Sequence, residues 1–223
     1  MPISVENPDE TMEINVQGTQ NIIDSCLENE VARLVVASSA AVYGEAENLP
    51  LKEEAAGDLL SPYAESKWAN EQQIIEARLN GLQASCLRFF NVYGVGQRPD
   101  GAYAAVIPKF ADMMAQGIPP RINGDGGQTR DFVHVDDVCN AIMTLIEGDW
   151  KAESHHVYNV ATETNISLLE LVSVINNSLA KQVPGYLPLN PLHGEDRAGD
   201  IRHSMASIDT VSYTHLRAHE TQP

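Results

Sequence analysis

Hydrophobic positions along the 223-residue chain follow two different spacings. In "ETMEINVQGTQNIIDSCLE", Ile14, Gly18, Ile22 and Cys26 recur every four residues, which predicts a helix over residues 10–28 with that face inward. "ARLVVASS" is a short unbroken apolar run closing in serines, as in a strand covered on both faces of a parallel sheet. Residues 44–60 show neither period and read as loop. "SPYAESKWANEQ" opens another helix, because Ser61 can cap it and Pro62 suits its first turn, and the pattern runs to about Leu79. "GLQASCLRFFNVYG" reads as the next strand, continuous to its glycine. Further helices are predicted near 104–116, over "VDDVCNAIMTLIE" and over "SLLELVSVINNSLA", with a strand in "HVYNVAT". In the second of these helices Val138, Ile142, Leu145 and Ile146 share one face behind an aspartate cap. Helices alternating with buried strands predict an α/β fold, a doubly wound parallel sheet.

From residue 95 onward Gly and Pro become frequent, which divides the chain into residues 1–95 and 96–209. "NGDGG" reads there as a hairpin turn. The last stretch, "VSYTHLRAHETQP", has no apolar period, and residues 210–223 read as a tail foreign to the rest. No strand followed by a Gly-x-x-Gly-x-x-Gly turn, the usual pyrophosphate cradle of such sheets, occurs in the first half.

Composition narrows the partners. Hydrophobic content of 43% and charged content of 20% are those of an ordinary globular protein, and the net charge of −17 argues against nucleic acid. The acids are spread out, as on a solvated face. Cys26, Cys86 and Cys139 are far apart in apolar surroundings, which predicts buried, reduced thiols. No apolar run approaches membrane-spanning length, and "MPISVENPDE" lacks the features of a signal peptide, so a soluble cytoplasmic protein is expected.

The candidate chemistry starts with Tyr63 and Lys67. At i and i+4 they share a helical face, and a nearby ammonium favours phenolate, which would make the tyrosine a proton acceptor. Ser39 closes its strand at the carboxyl end, where open α/β sheets bind ligands, although it could instead cap its own turn. His134 with Asp136 and Asp137 is better read as a helix start than as a metal site. His155 and His156 are adjacent on a strand, face opposite ways and form no chelating pair. Arg33 and Arg78 read as solvated surface arginines.

Five segments in one order, "VVASSAAVYG", "SPYAESK", "LRFFNVYG", "TRDFVHVDD" and "GDIRHSMASI", resemble the extended short-chain dehydrogenase/reductases of the NAD-dependent epimerase/dehydratase family. The resemblance spans residues 1 to about 209 and is closest to UDP-hexose 4-epimerases. It implies a Rossmann-like cofactor domain that lacks its first strands, with 1–95 its later part. It also implies a smaller α/β substrate-binding portion in 96–209, some segments of which return to the sheet. Members are usually longer and open with the glycine turn, so the chain is expected to be a fragment, inactive as it stands.

By the same resemblance Tyr63 is the catalytic acid and base, and Lys67 lowers its pKa and holds the nicotinamide ribose of NAD. Ser39 donates to the sugar 4-oxygen, Asn15 reaches the cofactor, and Phe89 lies beside the nicotinamide. Asn91 contacts the substrate phosphates, Arg130 and Arg197 clamp the UDP diphosphate, and Val106 and Asn123 line the uridine pocket. The family needs no metal and its members form homodimers. Dehydratases of the family carry an Asp-Glu pair where this chain has Ala40 and Ala41, which leaves epimerisation of a UDP-sugar. Ser204 stands where a tyrosine often restricts epimerases to unmodified hexoses, which points to UDP-N-acetylglucosamine and its galacto epimer. The alternatives are another nucleotide-sugar epimerase or reductase, and a non-catalytic dinucleotide-sensing module.

Overall fold

The computed structural model describes residues 2–45, 48–100, 105–150, 155–196 and 201–210. Helices α1 (Pro2–Glu6) and α2 (Pro8–Met12) lead through a π-helical turn at Glu13–Gln17 into α3 (Gly18–Glu28). Strand β1 (Arg33–Ser39) follows, then 3₁₀ turns at Ala40–Tyr43 and Glu53–Ala55, helix α4 (Pro62–Leu79), and strands β2 (Gln83–Phe89) and β3 (Asn91–Tyr93). Beyond these lie α5 (Val106–Ala115), β4 (Arg121–Asn123), β5 (Thr129–Arg130), β6 (Phe132–His134) and α6 (Val135–Glu147). Strands β7 (Val157–Val160) and β8 (Ile166–Ser167), helix α7 (Leu168–Gln182) and strand β9 (Leu192–Gly194) complete the fold.

The main sheet has the order β1-β2-β7, all parallel, with Ser39 opposite Phe89 and Phe89 opposite Val160. Successive residues of β2 face opposite sides. Cys86 packs with Ile23, Ile74 and Ala77 of α3 and α4, while Leu87 packs with Val138, Ala141 and Leu145 of α6. Helices therefore cover both faces, as the continuous apolar runs require. Separate two-stranded pairs are formed by β3 with β6 and β4 with β9, both parallel, and by β5 with β8, antiparallel. Around Ile122 of β4, a further core joins Phe110 and Met114 of α5 to Leu171, Val172 and Ile175 of α7. Gly44 ends the first 3₁₀ turn at φ 61°, and a Cβ there would stand 2.1 Å from the carbonyl oxygen of Asp58, so the turn requires glycine.

Several sequence expectations are corrected. The inward face of the first long helix carries Ile23 and Cys26, whereas Ile14 and Ile22 are exposed. Positions four apart drift by about 40° per step on an α-helix, and the π-helical turn adds a residue to the count. Ile146, placed on the inner face of α6, is also exposed, and so is Cys139, unlike the other two thiols. The run "LRFFNVYG" is two strands: the chain leaves the main sheet at Phe90 and joins β6 from Asn91, so Asn91 begins a strand. The "NGDGG" turn links β4 to β5, which do not pair with each other, so it closes no hairpin. Helix α6 is capped by His134, whose Nδ1 accepts from the Asp136 amide, and both aspartates lie inside the first turn. His155 and His156 precede β7 and are not on a strand.

Neither Arg33 nor Arg78 is a free surface cation. Arg33 donates to the carbonyl oxygens of Leu145 and Ile146 at the end of α6, and Arg78 donates to that of Ala84 at 2.9 Å and covers the Trp150 ring.

The sequence also hides a buried ion pair. Glu71 of α4 and Arg88 of β2 are each 1% exposed and meet through two bonds, Nε to Oε1 at 2.9 Å and Nη2 to Oε2 at 2.7 Å. Ser38 donates to Glu71 Oε1 at 2.5 Å. Arg88 Nη1 donates to Tyr43 Oη and to the Glu53 carbonyl, and Tyr43 donates to Asn159 Oδ1. Asn159 Nδ2 in turn donates to the carbonyls of Leu51 and Ser207.

Candidate functional site

Ser39 is the last residue of β1, and its Oγ accepts from the Ala41 amide at 3.2 Å, capping the 3₁₀ turn. The capping role weighed against function is thus present. An oxygen that accepts this bond still has a proton of its own to donate. Ala40 and Ala41, which form the turn, bring no acid–base group.

Tyr63 lies in the first turn of α4. Ser61 caps that helix through the Ala64 amide at 3.2 Å, and Pro62 occupies its first position. Lys67, one turn on, holds Nζ 5.8 Å from the centre of the Tyr63 ring and donates to the Ala37 carbonyl at 3.0 Å. Burial lowers the pKa of the ammonium. Asn15 sits in the π-helical turn and donates to Ser66 Oγ at 2.9 Å, and Ser66 donates to the Tyr63 carbonyl at 2.9 Å. Asn70 and Gln73 of α4 donate to the carbonyls of Asn15 and Val16. The structure thus gathers Asn15, Ser39, Tyr63, Lys67 and Phe89 around α4 and the carboxyl ends of β1 and β2.

A second group meets in a cavity of about 390 Å³ lined by Asn91, Val106, Asn123 and Arg130. Phe89 and Asn91 are two residues apart, so about 7 Å of chain at most separates the two groups there. Asn91 Nδ2 donates to the Asp131 carbonyl at 2.9 Å, which fixes the amide at the mouth of β3. The Asp131 carboxylate is buried and accepts from Thr162 N, Thr162 Oγ1 and Ala206 N, and burial raises its pKa despite these bonds.

Sequence reasoning missed two further cations on the wall, Lys109 and Arg121. With Arg130 they make three cations and no carboxylate among the described lining residues, in a chain of net charge −17. Such a local excess favours an anionic ligand against the overall field. Lys109 and Arg121 belong to none of the quoted motifs, so only their charge could have flagged them.

Ser204 donates its backbone amide to the Thr129 carbonyl at 3.2 Å, beside Arg130, and its side chain does not line the cavity. Arg197 lies outside the described residues. Among the described residues no group of His, Cys, Asp or Glu could hold a metal, and no helix is long and apolar enough to cross a membrane.

The groups present suit one half of a nicotinamide dinucleotide. The strand ends, the Tyr63–Lys67 face and the Asn15 turn fit its nicotinamide ribose, whereas no glycine-rich strand-to-helix turn in the sequence fits its pyrophosphate.

Residues 1–161 match the model of the NAD dependent epimerase/dehydratase family. A candidate UDP-glucose 4-epimerase of Methanocaldococcus jannaschii is 42% identical over 178 residues, which are 79% of this chain and 56% of that protein. The UDP-N-acetylglucosamine 4-epimerase of Methanobrevibacter ruminantium, solved with UDP-N-acetylmuramic acid, superposes with a TM-score of 0.91 at 32% identity, covering 99% of this chain and 68% of that one. The Thermus thermophilus UDP-glucose 4-epimerase, solved with NAD, gives 0.80 at 30% identity, covering 96% and 68%. The chain thus spans little more than half of its M. jannaschii relative.

Proposed function

The chain belongs to the NAD dependent epimerase/dehydratase family, and on that premise we propose that it carries the sugar half of a UDP-hexose 4-epimerase, with UDP-N-acetylglucosamine as the substrate. The observation that carries the reading is the pairing of a cation-walled cavity with a Tyr63–Lys67 helix face at the strand ends. Arg130, Lys109 and Arg121 supply charge for a diphosphate, and Asn91 and Asn123 supply amides near it. Tyr63 accepts the proton of the sugar 4-hydroxyl and later returns it. Lys67, held by Ala37, keeps positive charge beside the phenol, and Ser39 steadies the 4-oxygen. NAD, held at the Tyr63–Lys67 face, would supply the hydride acceptor and donor for C4 of the sugar.

Elimination of water is disfavoured because Ala40 and Ala41 offer no acid or base after Ser39. The N-acetyl substrate draws support from the small Ser204 and from the M. ruminantium neighbour, a UDP-N-acetylglucosamine 4-epimerase. A pure sensing module has no need of a proton acceptor, which weighs against that alternative.

The test joins this chain to the part of the T. thermophilus enzyme that it does not cover and follows the anomeric protons of UDP-N-acetylglucosamine by NMR. Appearance of the galacto epimer is expected. A chimera that binds NAD and UDP-sugar without epimerising either UDP-glucose or its N-acetyl analogue would overturn the reading.

A further inference from the structure

A buried ion pair is a costly way to fill a core, since apolar residues of similar volume are often as stable or more so. The Glu71–Arg88 pair therefore calls for a reason beyond stability, and its neighbours supply one. Glu71 lies one turn past Lys67 on α4, and Arg88 directly precedes Phe89 on β2. Ser38, which donates to Glu71, directly precedes Ser39 on β1. Tyr43, bonded to Arg88, ends the 3₁₀ turn that Ser39 caps. Glu71, Arg88, Ser38 and Tyr43 are thus each next to, or one turn from, a residue of the proposed site, yet none of them belongs to it.

We propose that Glu71 and Arg88 are positioning residues, which fix helix α4 against the ends of β1 and β2 so that the Tyr63 phenol is held beside Ser39. The proposal rests on the epimerase reading for its purpose, and on the hydrogen-bond geometry alone for its mechanism. The guanidinium fork meets the carboxylate through two bonds, which leaves α4 no freedom to slide or roll at that point. Ser38 supplies a third, independent tie from the neighbouring strand. A hydrophobic contact in the same place would hold the layers together without setting their register.

The experiment uses the whole chain with its tyrosines replaced by 3-fluorotyrosine, the Tyr63 resonance being identified by its loss in Tyr63→Phe. In the double variant Glu71→Met with Arg88→Met, the Tyr63 fluorine line is expected to broaden or split, and a cooperative thermal transition shows that the fold is kept. The lines of Tyr93 and Tyr186, which do not touch the pair, should stay unchanged. Should the double variant fail to fold, Ser38→Ala removes one tie and leaves the pair in place, and the same broadening is expected in smaller measure. A sharp, unshifted Tyr63 line in a folded variant would overturn the proposal and leave the pair a purely structural element. Failure of the epimerase reading shows separately, as a chimera that binds NAD and UDP-sugar without epimerising it, with the fluorine result unaffected.

Discussion

Lys67 donates to the carbonyl of Ala37 at 3.0 Å, two residues before Ser39, while its ammonium stands 5.8 Å from the centre of the Tyr63 ring. One side chain thus spans from the Tyr63 face of α4 to the carboxyl end of β1. Lys67 is half-buried, and its charge is placed near both the strand carbonyl and the Tyr63 ring.

Tyr63→Phe, made in the chimera described above, keeps the ring and removes the proton acceptor. Turnover is expected to drop about 10²–10⁴-fold with UDP-sugar affinity nearly unchanged. Steady-state rates together with calorimetric titration check both halves, and turnover near that of the parent chimera would remove Tyr63 from the chemistry.

Arg130→Ala should act on binding instead. A charge-assisted hydrogen bond is worth about 1.5–3 kcal/mol, so affinity for UDP should weaken by roughly 10- to 100-fold. Titration of the chain with UDP at low and high salt tests this. The unsubstituted protein should show the steeper salt dependence, and equal affinities would place the diphosphate elsewhere.

Ser204→Tyr should lower activity toward UDP-N-acetylglucosamine and spare UDP-glucose, because a ring would take the space of an acetamide. The backbone bond from Ser204 to Thr129 is kept in the variant, so the strand should not move. Parallel loss of both activities in the chimera would show that position 204 does not select the sugar.

Burial pushes the Tyr43 phenol up from 10.0 to about 12, against the pull of Arg88. The folded protein therefore holds this proton more tightly than the unfolded chain does. Its contribution, about 3 kcal/mol, is complete below pH 10 and is lost as pH rises through the folded value. Tyr43→Phe lacks this titration, so urea midpoints of parent and variant should converge between about pH 10 and 12. A gap that stays constant over that range would contradict the assignment.

Much of this architecture is legible in the chain because it depends on near neighbours. Ser61 and Pro62 announce α4, and the apolar runs of β1 and β2 announce strands covered on both sides. The break at Phe90 is hidden because the apolar run continues across it, and only the partners of each half show that the sheets differ. His134 as a cap is hidden because two better capping residues, Asp136 and Asp137, follow within three positions. Glu71 and Arg88 are hidden for another reason: charges seventeen residues apart look solvated until the fold brings their elements together. Of the proposed site, the strand-end and helix residues could be read from spacing and motif order. Lys109 and Arg121 needed the cavity itself.

The π-helical turn at Glu13–Gln17 behaves as an extra tooth in a gear. A residue added to an α-helical path rotates everything on one side of it by about 100° relative to the other. The bearing of α1 and α2, which rest on α4, is therefore set by a count of residues, and Asn70 and Gln73 grip the two carbonyls where the count changes. Losing one residue there would hardly shorten the helix, but it would turn the leading helices off α4 and carry Asn15 away from Ser66.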